Sequence, residues 1–413
     1  MESYSIILII LAITIGLSAF AEKRRLPSSI VLILGGIVMG FSPSMSEIKL
    51  DPEIVFLIFL PPLLYDAAFN ISFRDFKTNF STISTLATGL VFLTTIGVAV
   101  VSHYIIPGMS WPLAFVLGAI LSATDAVAAI GITKGLGLSH KTLTILEGES
   151  LINDASALVA YKFSVAAVMG ATFVWWKAGG EFILLLAGGM VVGAILGRVI
   201  TFILRWLKGF PVIMNSLMLL MPFVTYRIAE EFHVSGIIAV VVYGLSIAHI
   251  SRQFFPEALK QQSRSIWEII IFLLNGFIFI LIGLEFPYVL KDMDHAQILP
   301  NIGYAGIITI VALAIRTVRI FQQRIRLQRG FDSGKVRISE EALLDFQTSV
   351  IISLSGIRGI MSLAIAIGLP VVLPGGEAFP MRSTIIFISV AVVLFTLIGQ
   401  GLVLPGIVKR VMK

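Results

Sequence analysis

Carboxylates placed inside long apolar runs are the residues here whose types and spacing suggest chemistry. Asp125 lies in one such run and Glu149 and Asp154 in the next, separated by a short basic loop around Lys134–Lys141. An ionisable side chain at the centre of a bilayer costs roughly 2.5–3.5 kcal/mol on insertion scales, so each is a functional candidate by default. The second run reads Glu147-Gly-Glu149-Ser150-Leu-Ile-Asn153-Asp154-Ala-Ser156. On a helix Ser150 and Asp154 are four apart, as are Glu149 and Asn153, so the four project from adjoining faces. The result is a wall of oxygens, which suits a hard cation. The chain has no cysteine, and its five histidines (His103, His140, His233, His249, His295) show no paired ligand spacing. Both facts argue against a transition metal.

Depth strengthens the pairing. Asp125 precedes the basic loop by about ten residues and Asp154 follows it by about thirteen, which at 1.5 Å per residue puts both about 15–20 Å deep. That is close to the middle of a hydrocarbon core of about 30 Å. Other charges sit at compatible levels: Arg358 in the middle of a late segment, Arg316 before the basic end of its segment, and Asp66 near the end of an early one. Arg316 is positioned to pair with Glu149. Arg358 reads as a fixed charge balancing helix ends. Asp66 reads equally as a funnel residue or as a helix-end charge. Arg319 and the basic cluster at 324–337 read as topology signals and lipid headgroup contacts.

The elements that must position these groups are membrane helices. Of the residues, 57% are hydrophobic and only 13% are charged, with a mean hydropathy of +0.98, whereas a soluble domain carries roughly 25% charged residues. Apolar runs long enough to span fall near 3–21, 27–42, 53–71, 82–106, 112–134, 142–172, 181–207, 212–231, 234–250, 264–286, 300–323, 345–371 and 383–408. The fold class expected is all-α and integral to the membrane, with about thirteen spans. The N-terminus lacks the basic region of a signal peptide and reads as a first spanning helix. Basic residues crowd the loops after odd-numbered segments (Lys23, Arg24, Arg25; Arg74, Lys77; Lys134, Lys141; Arg205, Lys208; Arg252, Lys260, Arg264; Arg324, Arg326, Arg329, Lys335, Arg337; Lys409, Arg410, Lys413), while loops after even-numbered segments hold one each at most (Lys49, Lys177, Lys291, Arg382). This bias puts the N-terminus outside and the C-terminus in the cytoplasm. It also accounts for the net charge of +6 without nucleic acid. No nucleotide-binding motif is present, so no nucleotide partner and no cofactor are expected, and an ion gradient must drive any transport.

An odd count suggests six helices, a linker and six more, arranged as two inverted repeats. Transporters of that design hold their site on broken helices at the repeat interface. Segments five and twelve carry the breaks at matching places: Ser122-Ala123-Thr124-Asp125, and Ser353-Leu354-Ser355-Gly356-Ile357-Arg358-Gly359. Polar residues and glycines mid-span are where a helix unwinds, provided the freed backbone lines a cavity.

With Phe59-Leu-Pro-Pro-Leu-Leu-Tyr65-Asp66-Ala-Ala, Ser122-Ala-Thr-Asp-Ala-Val-Ala128, Glu147-Gly-Glu-Ser-Leu-Ile-Asn-Asp154, Glu230-Glu-Phe-His-Val-Ser-Gly236, Leu274-Asn-Gly-Phe-Ile-Phe-Ile-Leu-Ile-Gly283 and Ser355-Gly-Ile-Arg-Gly-Ile-Met-Ser362 in order along the chain, the sequence resembles the cation/proton antiporter superfamily, in the sodium/proton exchanger branch with an Asn-Asp site. The resemblance implies a thirteen-helix homodimer in the cell membrane. Its divisions would be 1–106 (dimerisation helices 1–3 and core helix 4), 107–172 (core helices 5–6), 173–207 (linker helix 7), 208–299 (helices 8–10, on the dimerisation side) and 300–413 (core helices 11–13). Asp154 would bind ion and proton, with Ser150 and the Thr124 carbonyl as further ligands. Asp125 and Glu149 would act through water or pairing, Asn153 would hold Asp125, Glu149 would bridge to Arg316, and Arg358 would lie at a crossover. Asp66 stands where the family more often has glutamate, and Ile357, Ile360 and Met361 replace its more usual Leu, Ala and Val. The large regulatory tail of many animal relatives is not expected in this chain.

The resemblance implies exchange of one monovalent cation, sodium or in the alternative lithium or potassium, for one proton by alternating access. Asn153 in the place of a second aspartate implies an electroneutral cycle. Two other classes fit less well. A passive channel favours rings of carbonyls or charges, and an intramembrane acid–base enzyme favours a carboxylate dyad over Asn153 beside Asp154.

Overall fold

Lipid offers no hydrogen bonds, so an apolar run that crosses it must satisfy its own amides as a helix. The computed structural model describes residues 3–24, 26–42, 52–71, 73–133, 136, 138–170, 175–291, 293, 295–333 and 343–411. Its regular elements there are the helices α1 (Ser3–Arg24), α2 (Ser28–Gly40), α3 (Pro52–Asn70), α4 (Phe73–Ile105), α5 (Trp111–Ser122), α6 (Ala126–Ile132), α7 (His140–Val168), α8 (Trp175–Trp206), α9 (Pro211–Glu231), α10 (Gly236–Phe254), α11 (Glu257–Lys291), α12 (His295–Asp332), α13 (Phe346–Leu354), α14 (Ile360–Ile367) and α15 (Arg382–Val411). One isolated bridge, Val372 to Ala378, folds the turn before α15. Among the described residues eight helices are long and apolar enough to span, and Ser28–Gly40, Leu57–Asn70 and Trp111–Ser122 are shorter apolar helices. The pairs α5/α6 and α13/α14 each occupy one expected segment, so the fifteen helices make thirteen runs.

Helix starts follow local chemistry. Ser139 accepts from Thr142 N at the head of α7, Ser235 from Ile238 N at α10, and Asp345 from Thr348 N at α13. Such caps satisfy amides that have no partner within the helix.

Several helices overshoot their apolar windows. The window ending at 323 lies within α12, which continues to Asp332. Gln322-Gln323-Arg324 ends the apolar run, yet good helix formers carry the backbone on into polar surroundings. Arg316, expected about seven residues from its helix end, is therefore near the middle of α12. Among the basic residues used to infer topology, Arg25, Lys49, Lys134, Lys335, Arg337 and Lys413 lie outside the described residues, as do the side chains of Arg74, Lys77 and Lys177.

The chain divides into two compact units. One comprises residues 1–49, 77–171 and 275–413. Within it α5 packs on α7, and α15 packs on α12, α13 and α14. Leu86 and Leu90 of α4, Ile145 and Leu146 of α7, Ile320 of α12 and Ile352 of α13 form an apolar cluster that joins these helices. The other unit comprises 50–76 and 172–274, in which α10 packs on α3, α8 and α9.

Candidate functional site

The site begins with two interruptions. The polypeptide leaves α5 after Ser122, runs extended through Ala123 and Asp125, and re-enters a helix at Ala126. It leaves α13 after Leu354 and resumes at Ile360. The two loose stretches are joined by a backbone hydrogen bond, Asp125 N to Ile357 O at 2.7 Å, and Ser362 Oγ donates to Ala123 O at 3.2 Å. Four helix ends therefore meet, two with bare amides and two with bare carbonyls.

Each pair of ends is served by one charged side chain. Asp125 Oδ1 accepts from Ala128 N at 3.0 Å at the head of α6, and Oδ2 from Ile360 N at 3.4 Å at the head of α14. Arg358 Nε donates to Leu121 O at 3.1 Å near the end of α5, and Nη1 to Gly356 O at 2.6 Å beyond α13. Negative charge suits helix N-termini and positive charge C-termini. Gly359 makes this approach possible, because a β-carbon there would fall inside the Asp125 carboxylate.

Beside the crossing lies a buried ion pair. Arg316 Nη1 and Nη2 donate to Glu149 Oε1 and Oε2 at 2.6 and 2.7 Å, with the two side chains 2% and 1% exposed. Arg316 Nε also donates to Ile352 O at 3.0 Å in the last turn of α13. Forked, charge-assisted pairing of this kind fixes orientation as well as charge. Gly356 packs directly on the Arg316 side chain, leaving no room for a β-carbon.

The face of α7 then links the pair to the break. Thr124 Oγ1 donates to Glu149 Oε1 at 3.4 Å and accepts from Asn153 Nδ2 at 2.9 Å. Ser150 Oγ donates to Thr124 O at 2.8 Å and accepts from Ala126 N at 3.4 Å. Asn153 thus reaches the break through the Thr124 hydroxyl. The two oxygens expected to face a cation, Ser150 Oγ and Thr124 O, are bonded to each other.

Asp154 follows Ser150 by one turn. It is 9% exposed, and its Oδ1 has no hydrogen-bond partner; the adjacent Asn153 Oδ1 has none either. A buried carboxylate oxygen without a partner is costly, since it forfeits its solvation. Asp154 Oδ1 has the chemistry to receive a proton or a small cation.

Asp66 is placed differently. It belongs to the other unit, on α3, and accepts from Asn70 Nδ2 at 3.0 Å. The remaining expected residues (Thr124, Asp125, Glu149, Ser150, Asn153, Asp154, Arg316 and Arg358) all belong to the first unit. One contributor escaped the sequence reading. Thr396, within the apolar run of α15, accepts from Arg358 N at 3.1 Å. The only signal it gives is a lone hydroxyl in an apolar span.

Comparisons with known proteins agree in fold and family. Residues 7–410 match the family model for the transmembrane sodium/hydrogen exchanger. A "Sodium, potassium, lithium and rubidium/H(+) antiporter" of Bacillus pumilus is 35% identical over 388 residues, covering 92% of this chain and 57% of that one. The Na(+)/H(+) antiporter NhaH of Halobacillus aidingensis is 32% identical over 419 residues, covering 98% of this chain and 96% of its own. The solved structure of the sodium proton antiporter MjNhaP1 from Methanocaldococcus jannaschii superposes with a TM-score of 0.74 over 99% of this chain and 98% of that one, at 20% identity. The chain is a multi-pass membrane protein and belongs to the sodium/hydrogen exchanger family of the cation/proton antiporter superfamily.

Proposed function

We propose that this protein exchanges a monovalent cation for a proton at Asp154, which holds one or the other and never both. The observation that carries the assignment is the unpartnered, buried Oδ1 of Asp154 beside the crossing of two broken helices. Ser150 Oγ and Thr124 O, now bonded to each other, are the oxygens that would turn to a cation. Asp125 and Arg358 hold the crossing, and Glu149 with Arg316 ties α7 to α12 and α13.

Charge supports a one-for-one cycle. Ionised, the cluster has three carboxylates (Asp125, Glu149, Asp154) and two guanidiniums (Arg316, Arg358), which leaves one negative charge that a single proton or monovalent cation neutralises. Electroneutral exchange is the corresponding proposal, and a voltage-driven pH change in proteoliposomes would refute it. The core of spans four to six (α4–α7) and eleven to thirteen (α12–α15) would carry the site between membrane faces, in a homodimer of the cell membrane with its N-terminus outside. Asp66 would line an access path. Sodium is the first candidate ion. Potassium remains the second, because the 35% identical relative carries potassium, lithium and rubidium in its name.

Proton flux in everted vesicles, titrated with Na+, Li+ and K+ at several pH values, tests the reading. Asp154→Asn should abolish exchange for every cation while leaving expression intact. Normal transport by that variant would remove the site assignment.

A further inference from the structure

The second unit carries three cations that the transport site does not use. Arg198, Arg205 and Lys208 follow one another along the last turns of α8 and the residues just beyond it, and all three are exposed. None has a carboxylate partner among the described residues. Arg198 is the most anomalous. It lies within an outward stripe of Ile195, Val199 and Phe202, which are 53%, 47% and 76% exposed. From there to the end of α8 is about 12 Å at 1.5 Å per residue. A lone guanidinium facing hydrocarbon at that depth needs an anionic partner or a route to the interface.

The surface around these cations is concave. A groove between α8 and α10 is lined by Arg198, Arg205 and Ile250, and a cavity of about 270 Å³ continues from it past Arg205, Lys208, Phe254 and Leu259. The cavity lies where α8 and α10 end and α9 and α11 begin, so it opens at one membrane face at headgroup level. The Arg205 guanidinium is 4.3 Å from the centre of the Phe254 ring, which holds it at the rim.

We propose that this groove binds an anionic phospholipid, its phosphate between Arg205 and Lys208 and its acyl chain along the apolar wall, with Arg198 reaching up to the same phosphate. Cationic groups at the rim and apolar residues in the wall match the two ends of such a molecule. A second copy of the chain is the weaker occupant, because a twofold contact brings the same patch to itself and would set these cations against each other.

The test compares wild type with the triple variant Arg198→Gln/Arg205→Gln/Lys208→Gln in nanodiscs of phosphatidylcholine, with and without phosphatidylglycerol. Thermal unfolding and lipid phosphorus retained after delipidation are the readouts. Wild type should gain roughly 3 °C with phosphatidylglycerol by preferential binding to the folded state and retain more phosphorus, and the triple variant should do neither. Arg227→Gln, which alters an exposed cation already paired with Glu231, should behave as wild type. If the triple variant does not fold, Lys208→Gln, outside the helix, should still halve the gain. Equal gains in wild type and triple variant would overturn the proposal. So would an equal gain from inorganic phosphate without anionic lipid, which marks a free-anion site, or a dimer in wild type that the triple variant alone loses without any lipid effect. None of these readouts depends on transport.

Discussion

The two broken segments solve one problem with opposite means. The first break, between α5 and α6, contains no glycine and supplies an acid, Asp125, which serves the N-termini of both α6 and α14. The second, between α13 and α14, has glycines at both 356 and 359 and supplies a base, Arg358, which serves carbonyls of both α5 and its own segment. Neither is self-sufficient. Each lends its charge across the crossing, so the four helix ends are neutralised as one set. The acid-bearing break also faces Glu149, Ser150 and Asn153 on α7, whereas the base-bearing break abuts Arg316 through Gly356. The oxygens proposed to bind the ion are therefore concentrated on one side, and the other acts as their counterweight.

The comparison can be broken most forcefully at the ion pair between them. Glu149→Gln leaves Arg316 buried and unmatched and should cost about 3–5 kcal/mol, read as a fall in the thermal midpoint of the purified protein. The double variant Glu149→Gln/Arg316→Gln should be no worse than either single one, and additive losses would show that the two do not act together.

Removing the counterweight comes next. Arg358→Gln should orphan Leu121 O and Gly356 O at about 1–3 kcal/mol each and reduce exchange sharply. Wild-type flux in that variant would show that the crossing needs no positive charge. Gly359→Ala should push the Asp125 carboxylate off the head of α14. Overpacking of this kind costs about 1–3 kcal/mol, and transport should fall by more than the loss of folded protein explains. Gly131→Ala, where a β-carbon meets nothing, is the matched control.

The smaller effects sharpen the asymmetry. Asp125→Asn keeps an acceptor for Ala128 N but turns its amide Nδ2 toward Ile360 N, losing that long hydrogen bond at about 0.5–1.5 kcal/mol and charge at two N-termini at about 0.3–1 kcal/mol each. It should alter flux and cation dependence as well as stability, and a variant with full activity would leave Asp125 a purely structural cap. Ser362→Ala should cost about 1 kcal/mol by removing a single bond to Ala123 O, visible in unfolding and small in transport.

Much of this was legible in the linear chain, for identifiable reasons. Asp125 and Asp154 can be placed at one depth because the helical rise is constant and a shared loop sets the origin. The breaks are visible because polar residues and glycine are rare mid-span. The partner of Arg316 could be anticipated from depth, but its distance from the helix end could not, since polar residues after 323 extend α12 without an apolar signal. Thr396 was hidden because a hydroxyl in an apolar span usually bonds its own preceding turn, as Thr396 also does to Val393 O at 3.0 Å.

The sequence by itself determined that this is a membrane protein of helices, where its charges lie along the spans, and which stretches unwind, because hydropathy and helical period are local properties. The tertiary structure alone decided that Asp125 caps two helices more than two hundred positions apart, that Arg358 reaches back to Leu121, and that Ser150 and the Thr124 carbonyl meet while Asp154 keeps an unpartnered oxygen. Those outcomes depend on which helix ends face one another across the fold, and no local pattern encodes that choice.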